Sequence, residues 1–213
     1  MNADERLATA AALRALNHAF VAHDRDDAGL RELAEVADAQ SAAMRAGARR
    51  DRLALMQAAR AAADPSDRTF PVSGPGSGFE DRAVGGHANP TGVDLTLVEF
   101  GEEIVAEVTL HHAFEGAPGR AHGGIVSAVF DDVTGFVIGH IGEPAFTGEL
   151  TVRFLAPVPV EELLTIRTRL AGRERRKLFI TAEMTAGDAT VATCKAIYIT
   201  VDPSIFAGAP DPR

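Results

Sequence analysis

The chain has 213 residues, 46% of them apolar and 24% charged, a composition that supports one buried core with room for a smaller second unit and excludes an intrinsically disordered chain. Its 21 Lys and Arg against 30 Asp and Glu leave a net charge of −9, which opposes binding to nucleic acid or to an anionic membrane surface. The single cysteine, Cys194, excludes an internal disulfide.

At the N-terminus, Asp4, Glu5 and Arg6 stand where a secretory signal would carry a basic run and a long apolar core, and no uncharged apolar stretch approaches a membrane span. The expectation is a soluble cytoplasmic protein. Residues 1–64 lack proline, are rich in alanine and hold only three β-branched residues, so they read as a helical extension. Leu13, Leu16 and Phe20 recur at helical spacing, as do Leu30, Leu33, Val36 and Met44, with the acidic cluster Asp24 to Asp27 between them. A third helix is expected over about residues 50–63, ended by Asp64-Pro65. Residues 65–92 turn to Pro, Gly and Ser and read as a linker.

From residue 93 to the end, residues 93–213, the chain reads as the principal domain. Val93, Leu95 and Leu97, then Ile104, Ala106, Val108 and Leu110, alternate around a Gly101-Glu102 turn and predict a β-hairpin. Phe146, Gly148, Leu150, Val152 and Phe154 predict a third strand, and residues 163–170, 178–185 and 191–201 predict three more with connections too short for parallel crossovers. Between the two sets lies His122 to about Gly139, apolar on nearly every side, which predicts a buried helix. The fold class is therefore α+β: an antiparallel sheet of five to six strands around a central helix, with an N-terminal helical extension.

The chemistry concentrates at the start of that helix. In Gly119-Arg120-Ala121-His122-Gly123-Gly124, paired glycines expose helix-start N–H groups to a ligand oxygen, a potential oxyanion hole. Asp131 lies seven residues beyond Gly124 on the same helix face, with Ser127 between, and is the candidate general base. Asp132 lies about 100° further round and is expected to be structural, facing solvent or a subunit contact. The turn Gly172-Arg173-Glu174-Arg175-Arg176-Lys177 is the densest positive charge in the chain and suits phosphate. His111, His112, His122 and His140 lack zinc-site spacing, so no metal is expected.

Three stretches, Glu115-Gly116-Ala117-Pro118-Gly119-Arg120-Ala121-His122-Gly123-Gly124, then Asp131, then Thr147-Gly148-Glu149-Leu150-Thr151-Val152-Arg153-Phe154-Leu155-Ala156-Pro157-Val158-Pro159, resemble hotdog-fold acyl-CoA thioesterases of the phenylacetate-degradation type. The resemblance covers roughly residues 88–201. It implies a hotdog fold and hydrolysis of an acyl-CoA thioester, with no cofactor beyond the coenzyme A moiety of the substrate. It assigns carbonyl polarisation to the Gly124 N–H within the loop His122-Gly123-Gly124, and water activation or direct attack to Asp131. It gives Thr147 the family's hydroxyl, which reaches the acid or water at a site shared by two subunits of a homodimer or homotetramer. The resemblance directs Arg176 and Lys177 to the coenzyme A phosphates. Where many members carry Asn or Gln six residues before the His, this chain has Gly116. The alternative function is a non-catalytic acyl-CoA-binding or regulatory module on the same fold.

Overall fold

The structure is a computed structural model and describes residues 3–52, 54, 55, 58 and 80–202. Helix α1 runs Ala3–Ala22 and α2 Asp27–Ala46. The acidic break between them works as a cap, because the Asp26 side chain accepts the Gly29 N–H at 2.9 Å and satisfies a first-turn donor. Of the third expected helix, residues 52, 54, 55 and 58 are described and helical, and the Asp51 side chain accepts the Ala54 N–H at 2.9 Å at its start, while residues 65–79 of the expected linker lie outside the described residues.

Strands β1 (Leu95–Phe100) and β2 (Glu103–Thr109) form the predicted hairpin. A short pair, β3 (Glu115–Ala117) and β4 (Arg120–Ala121), leads into helix α3 (Gly123–Ile141). The remaining strands are β5 (Ala145–Phe154), β6 (Leu163–Glu174), β7 (Lys177–Ala186) and β8 (Ala189–Thr200). The main sheet has the order β1-β2-β6-β7-β8-β5, antiparallel at every pairing, so β5 is an edge strand although it follows the helix.

Helix α3 packs into the concave face of this sheet. Val126, Val129, Phe130, Val133, Phe136 and Val137 meet Ile104, Val108, Leu164, Ile166, Leu178, Ile180, Met184 and Ala196 in one buried cluster. Each such aliphatic or aromatic side chain is worth about 1.5–3 kcal/mol when fully withdrawn from water, so the helix is held chiefly by its own surroundings. By length and mean hydropathy the helix could cross a bilayer despite Asp131 and Asp132, but its apolar side chains are packed against the sheet. The helix ends at Gly142, whose φ of 74° is the left-handed cap that its N–H bond to Ile138 O requires.

Two features go beyond the sequence reading. Residues 80–92, the described part of the expected linker, pack on the domain: Gly85, Gly86, Ala88 and Gly92 are buried, and Arg82 pairs with Asp132 of α3. The docked face of α1 is not its apolar stripe. Leu13, Leu16 and Phe20 stay exposed, while Ala10 and Arg14 are 3% and 6% exposed. Arg14 reaches the His87 and Asn89 carbonyls at 2.8 and 3.0 Å and Asp94 at 2.7 Å, so three acceptors from residues 87–94 select this face over the hydrophobic one.

Candidate active site

His122 is the N-cap of α3. Its Nδ1 accepts the Gly124 N–H at 3.0 Å, which satisfies one of the donors every helix start leaves open. The reason for glycine here is close approach: a Cβ on Gly124 would stand 3.0 Å from that ring, and one on Gly116 would stand 2.9 Å from His122 Cα. Glycine at 116, where the resembled family often has an amide side chain, thus makes room for the loop that holds the helix-start amide. The loop is fixed from behind by the His122 N–H donating to Phe114 O and the Ala121 N–H donating to Val158 O.

Asp131 is exposed and lies on the same face as Gly124, with Ser127 between them. Seven residues of helix rise about 10 Å, however, so within one chain the two cannot hold a single carbonyl group between them. The partner that does reach Asp131 is Thr147, whose hydroxyl donates to Oδ1 at 2.8 Å. A bulge makes this contact. Register shifts between Thr147 and Glu149 of β5, and Thr147 then lies directly across from Tyr198 of β8. Plain alternation would put Phe146 and Gly148 on the helix side with Leu150. The bulge at Gly148 turns Thr147 inward instead and leaves Phe146 half-exposed on the other face.

Tyr198, which the sequence reading passed over, is only 4% exposed. Its hydroxyl lies 3.0 Å from Asp131 O, 3.5 Å from Asp131 Oδ1 and 3.0 Å from Thr134 Oγ1. Burial pushes its pKa up to about 12, so it stays a proton donor at any physiological pH. The signal that could have found it is a lone tyrosine on an otherwise small and apolar strand face, with Ala192, Cys194 and Ala196 as its neighbours. Burial likewise raises the thiol of Cys194, 2% exposed, to about 12, so it behaves as a small core residue.

Asp132 does not face solvent. Its Oδ2 accepts the Gly85 N–H at 3.0 Å and lies 3.4 Å from Arg82 Nε, with both side chains about five-sixths buried at 15% and 16% exposure. Burial raises the Asp132 carboxyl above its ordinary range, with Arg82 and the Gly85 N–H opposing it, and burial lowers the Arg82 guanidinium. The Arg82 guanidinium also covers the Phe136 ring at 4.9 Å. Phe136 is a core residue, 2% exposed.

The basic turn lies near the C-terminal end of α3, away from Gly124. Arg173 forms a two-pronged pair with Glu143 at 2.6 and 2.9 Å, and Arg176 Nε donates to Thr200 O at 2.9 Å. Lys177 shares a cross-strand row with Ile199 and Phe146, next to the row that contains Leu178, Tyr198 and Thr147. Lys177 is therefore one strand position from the row of the Asp131 cluster, on the outer side of the sheet, and Arg176 precedes it in the turn. The histidines outside the loop are engaged elsewhere: His111 and His112 with Glu161, and His140 edge-on against Phe100. A cavity of about 290 Å³ lies under α1, between Arg14, His18, Phe20, Pro90 and Phe114, and does not coincide with Asp131, which stands on an open face.

Comparison with known proteins bears on this arrangement. The sequence profile of the Thioesterase superfamily matches residues 118–193, a span that contains the His-Gly-Gly loop, Asp131 and Thr147. Acyl-coenzyme A thioesterase THEM4 of Mus musculus is 31% identical over 93 residues, 42% of this chain and 39% of that one. Acyl-coenzyme A thioesterase THEM5 of Homo sapiens is 36% identical over 66 residues, 31% of this chain and 27% of that one. The matched segments thus span well under half of these relatives. The crystal structure of the thioesterase superfamily protein RHA08564 superposes with a TM-score of 0.71 at 23% identity, over 91% of this chain and 90% of that one.

Proposed function

We propose that this chain is a hotdog-fold member of the Thioesterase superfamily, whose profile matches residues 118–193, and that it hydrolyses an acyl-CoA thioester with Asp131 as the reacting carboxylate. The observation that carries the reading is the Thr147 hydroxyl donating to Asp131 Oδ1 on an exposed face of the central helix. A buried carboxylate there would be structural. An exposed one, oriented through a single oxygen, is placed to meet water and a substrate carbonyl.

The about 10 Å between Asp131 and Gly124 implies a site completed by a second copy. Strand β5 is a sheet edge, and it runs antiparallel to α3: Thr147 at one end touches Asp131, and Phe154 at the other lies against Gly123. If two β5 edges pair antiparallel about their centres, near Leu150, Thr147 of one chain falls opposite residue 153 of the other. Asp131 of each then approaches Gly124 of its neighbour. The homodimer is the minimal unit on this reading, and a homotetramer pairs two of them.

In the hydrolysis, Asp131 takes a proton from water while the water oxygen bonds to the thioester carbonyl carbon. The carbonyl oxygen becomes an oxyanion and accepts the Gly124 N–H in place of His122 Nδ1. Collapse re-forms the C=O bond and breaks the C–S bond. The Asp131 proton passes to the departing coenzyme A sulfur, so the carboxylate is regenerated. Direct attack by Asp131 on the carbonyl would instead form an anhydride that water cleaves. Arg176 and Lys177 are proposed to hold the coenzyme A phosphates, since the Lys177 row borders that of the Asp131 cluster and Arg176 adjoins it in the turn.

The test is a screen of the purified protein against short, medium, long and aromatic acyl-CoAs, following release of free thiol. Cleavage of at least one class is expected, with Asp131→Asn lowering kcat by about 10²–10⁴ at little change in binding. Binding without cleavage would favour the non-catalytic acyl-CoA module, and a fully active Asp131→Asn would remove Asp131 from the chemistry.

A further inference from the structure

We infer that Tyr198 is a positioning residue of the same site: with Thr147, it holds Asp131 by Oδ1 and so selects Oδ2 as the oxygen that acts on water or substrate. This rests on Asp131 being the reacting carboxylate. Two hydroxyls converge on the inner side of that carboxylate, Thr147 Oγ1 at 2.8 Å and Tyr198 at 3.5 Å, and both approach Oδ1. No described residue donates to Oδ2, which leaves that oxygen to the exposed side.

The remaining contacts explain why the hydroxyl is there at all. A phenylalanine would fill the same space between α3 and β8 without burying a polar group, and a buried hydroxyl is a cost unless it is bonded. Thr134 donates to Phe130 O at 2.8 Å, so its oxygen is open to the Tyr198 proton. Asp131 O, at 3.0 Å, is a further acceptor for the same proton. The Tyr198 hydroxyl thus stands within reach of both the backbone carbonyl and the side chain of Asp131, a helical residue that must stay in register with Thr147. The bulge at Gly148 serves the same end, because it makes Thr147 and Tyr198 a cross-strand pair. A single hydroxyl proton with three neighbouring acceptors can turn toward Oδ1 when that carboxylate is charged and toward Thr134 when it is protonated.

The other titratable groups facing this cluster are Asp132 on α3, which is committed to Arg82 and Gly85, and Cys194 on β8, a thiol that stays protonated. Strand β5 brings the Thr147 hydroxyl, and β7 brings apolar Leu178 abreast of Tyr198. A change in the pH profile on altering Tyr198 therefore reports on Asp131.

Tyr198 is the only tyrosine in the chain, so growth on 3-fluorotyrosine alters this hydroxyl alone, keeping its shape while making it a stronger donor. On an acyl-CoA that the wild type cleaves, the acid limb of kcat/KM is expected to move to lower pH with 3-fluorotyrosine. It should move to higher pH in Tyr198→Phe, with kcat down by about ten- to a hundred-fold and KM within about three-fold. Asp131→Asn is measured beside them. If it is inactive while both Tyr198 forms keep the wild-type kcat and acid limb, the positioning role is overturned and the catalytic reading stands. If Asp131→Asn is fully active, the catalytic reading itself falls. Should Tyr198→Phe fail to fold, the full-length fluorotyrosine protein decides alone, an unmoved acid limb counting against the role.

Discussion

Two adjacent carboxylates on α3 differ in everything that decides their work. Asp131 is exposed and bonded to a hydroxyl, whereas Asp132 is buried against a guanidinium and a backbone amide. Removing one partner of a buried pair leaves the other charge poorly compensated. Asp132→Asn should therefore lower stability by about 2 kcal/mol, the residual solvent access of both groups and the retained Gly85 bond keeping it below the 3–5 kcal/mol of a fully buried pair. Its kcat should stay within about three-fold of wild type, since Arg82 and Gly85 lie on the far side from Thr147. Melting temperatures and steady-state rates of the two Asn variants separate these roles. An Asp132→Asn protein that folds as well as wild type but has lost activity would reverse the assignment. Helical spacing alone placed Asp131 on the face of Gly124 and Ser127, because it fixes side-chain direction, but the partner of Asp132 lies about fifty residues earlier in the chain and carries no local signal.

Helix α1 reaches the helix-start loop through one histidine. His18 Nδ1 accepts the Ala113 N–H at 3.3 Å, and the next residue, Phe114, offers its carbonyl to the His122 N–H. Only the form of His18 with a bare Nδ1 can make the first bond. Burial lowers the pKa of His18, and so does nearby His111, against the opposing pull of Glu161 and Asp94. A base whose folded value lies below its ordinary one, about 6.5, is preferred neutral by the fold. Its contribution is complete above that ordinary value and is lost as pH falls through the lowered one. Amide hydrogen exchange along α1, corrected for intrinsic rates, should show protection that is steady from pH 8 to 7 and declines toward pH 5. Protection that is unchanged or rises at pH 5 would mean that His18 does not hold the helix down. In His18→Phe the decline should be absent.

For the assembled molecule, the decisive question is whether Asp131 works with Gly124 of its own chain or of a neighbour. Gly124→Pro deletes the N–H but crowds the His122 ring, so its melting curve must first show a folded protein; once that is met it should be inactive, as Asp131→Asn should be. Mixing the two after reversible dissociation gives half heterodimers at equilibrium, each with one site built from the intact Asp131 of one copy and the intact Gly124 of the other. Activity should then recover to about a quarter of wild type. No recovery, with heterodimers demonstrated by mass, would place both groups in one chain and require the helix start to rearrange. The basic turn is tested at this scale too. Arg176→Ala with Lys177→Ala should raise KM for an acyl-CoA in a salt-dependent way but not for the same acyl group on a short thiol without phosphates, and equal changes would remove the turn from the site.

The sequence by itself determined the elements and their faces: the hairpin before the helix, the helix apolar all round, the antiparallel strands after it, and Gly124, Ser127 and Asp131 on one stripe. These are local properties, because 3.6-residue and 2-residue periods follow from backbone dihedrals that each segment adopts on its own. Tertiary structure alone decided the rest. Strand alternation pointed Phe146 inward until pairing with β8 placed a bulge at Gly148 and brought Thr147 to Asp131. Tyr198 became part of the site because it faces Thr147 across that register, 67 residues along the chain from Asp131. Arg14 outcompeted the apolar stripe of α1 because three oxygens of residues 87–94 converge on it. Register, bulge position and ion-pair partners depend on segments meeting from far apart in the chain, and no periodicity within a segment encodes which distant group it will meet.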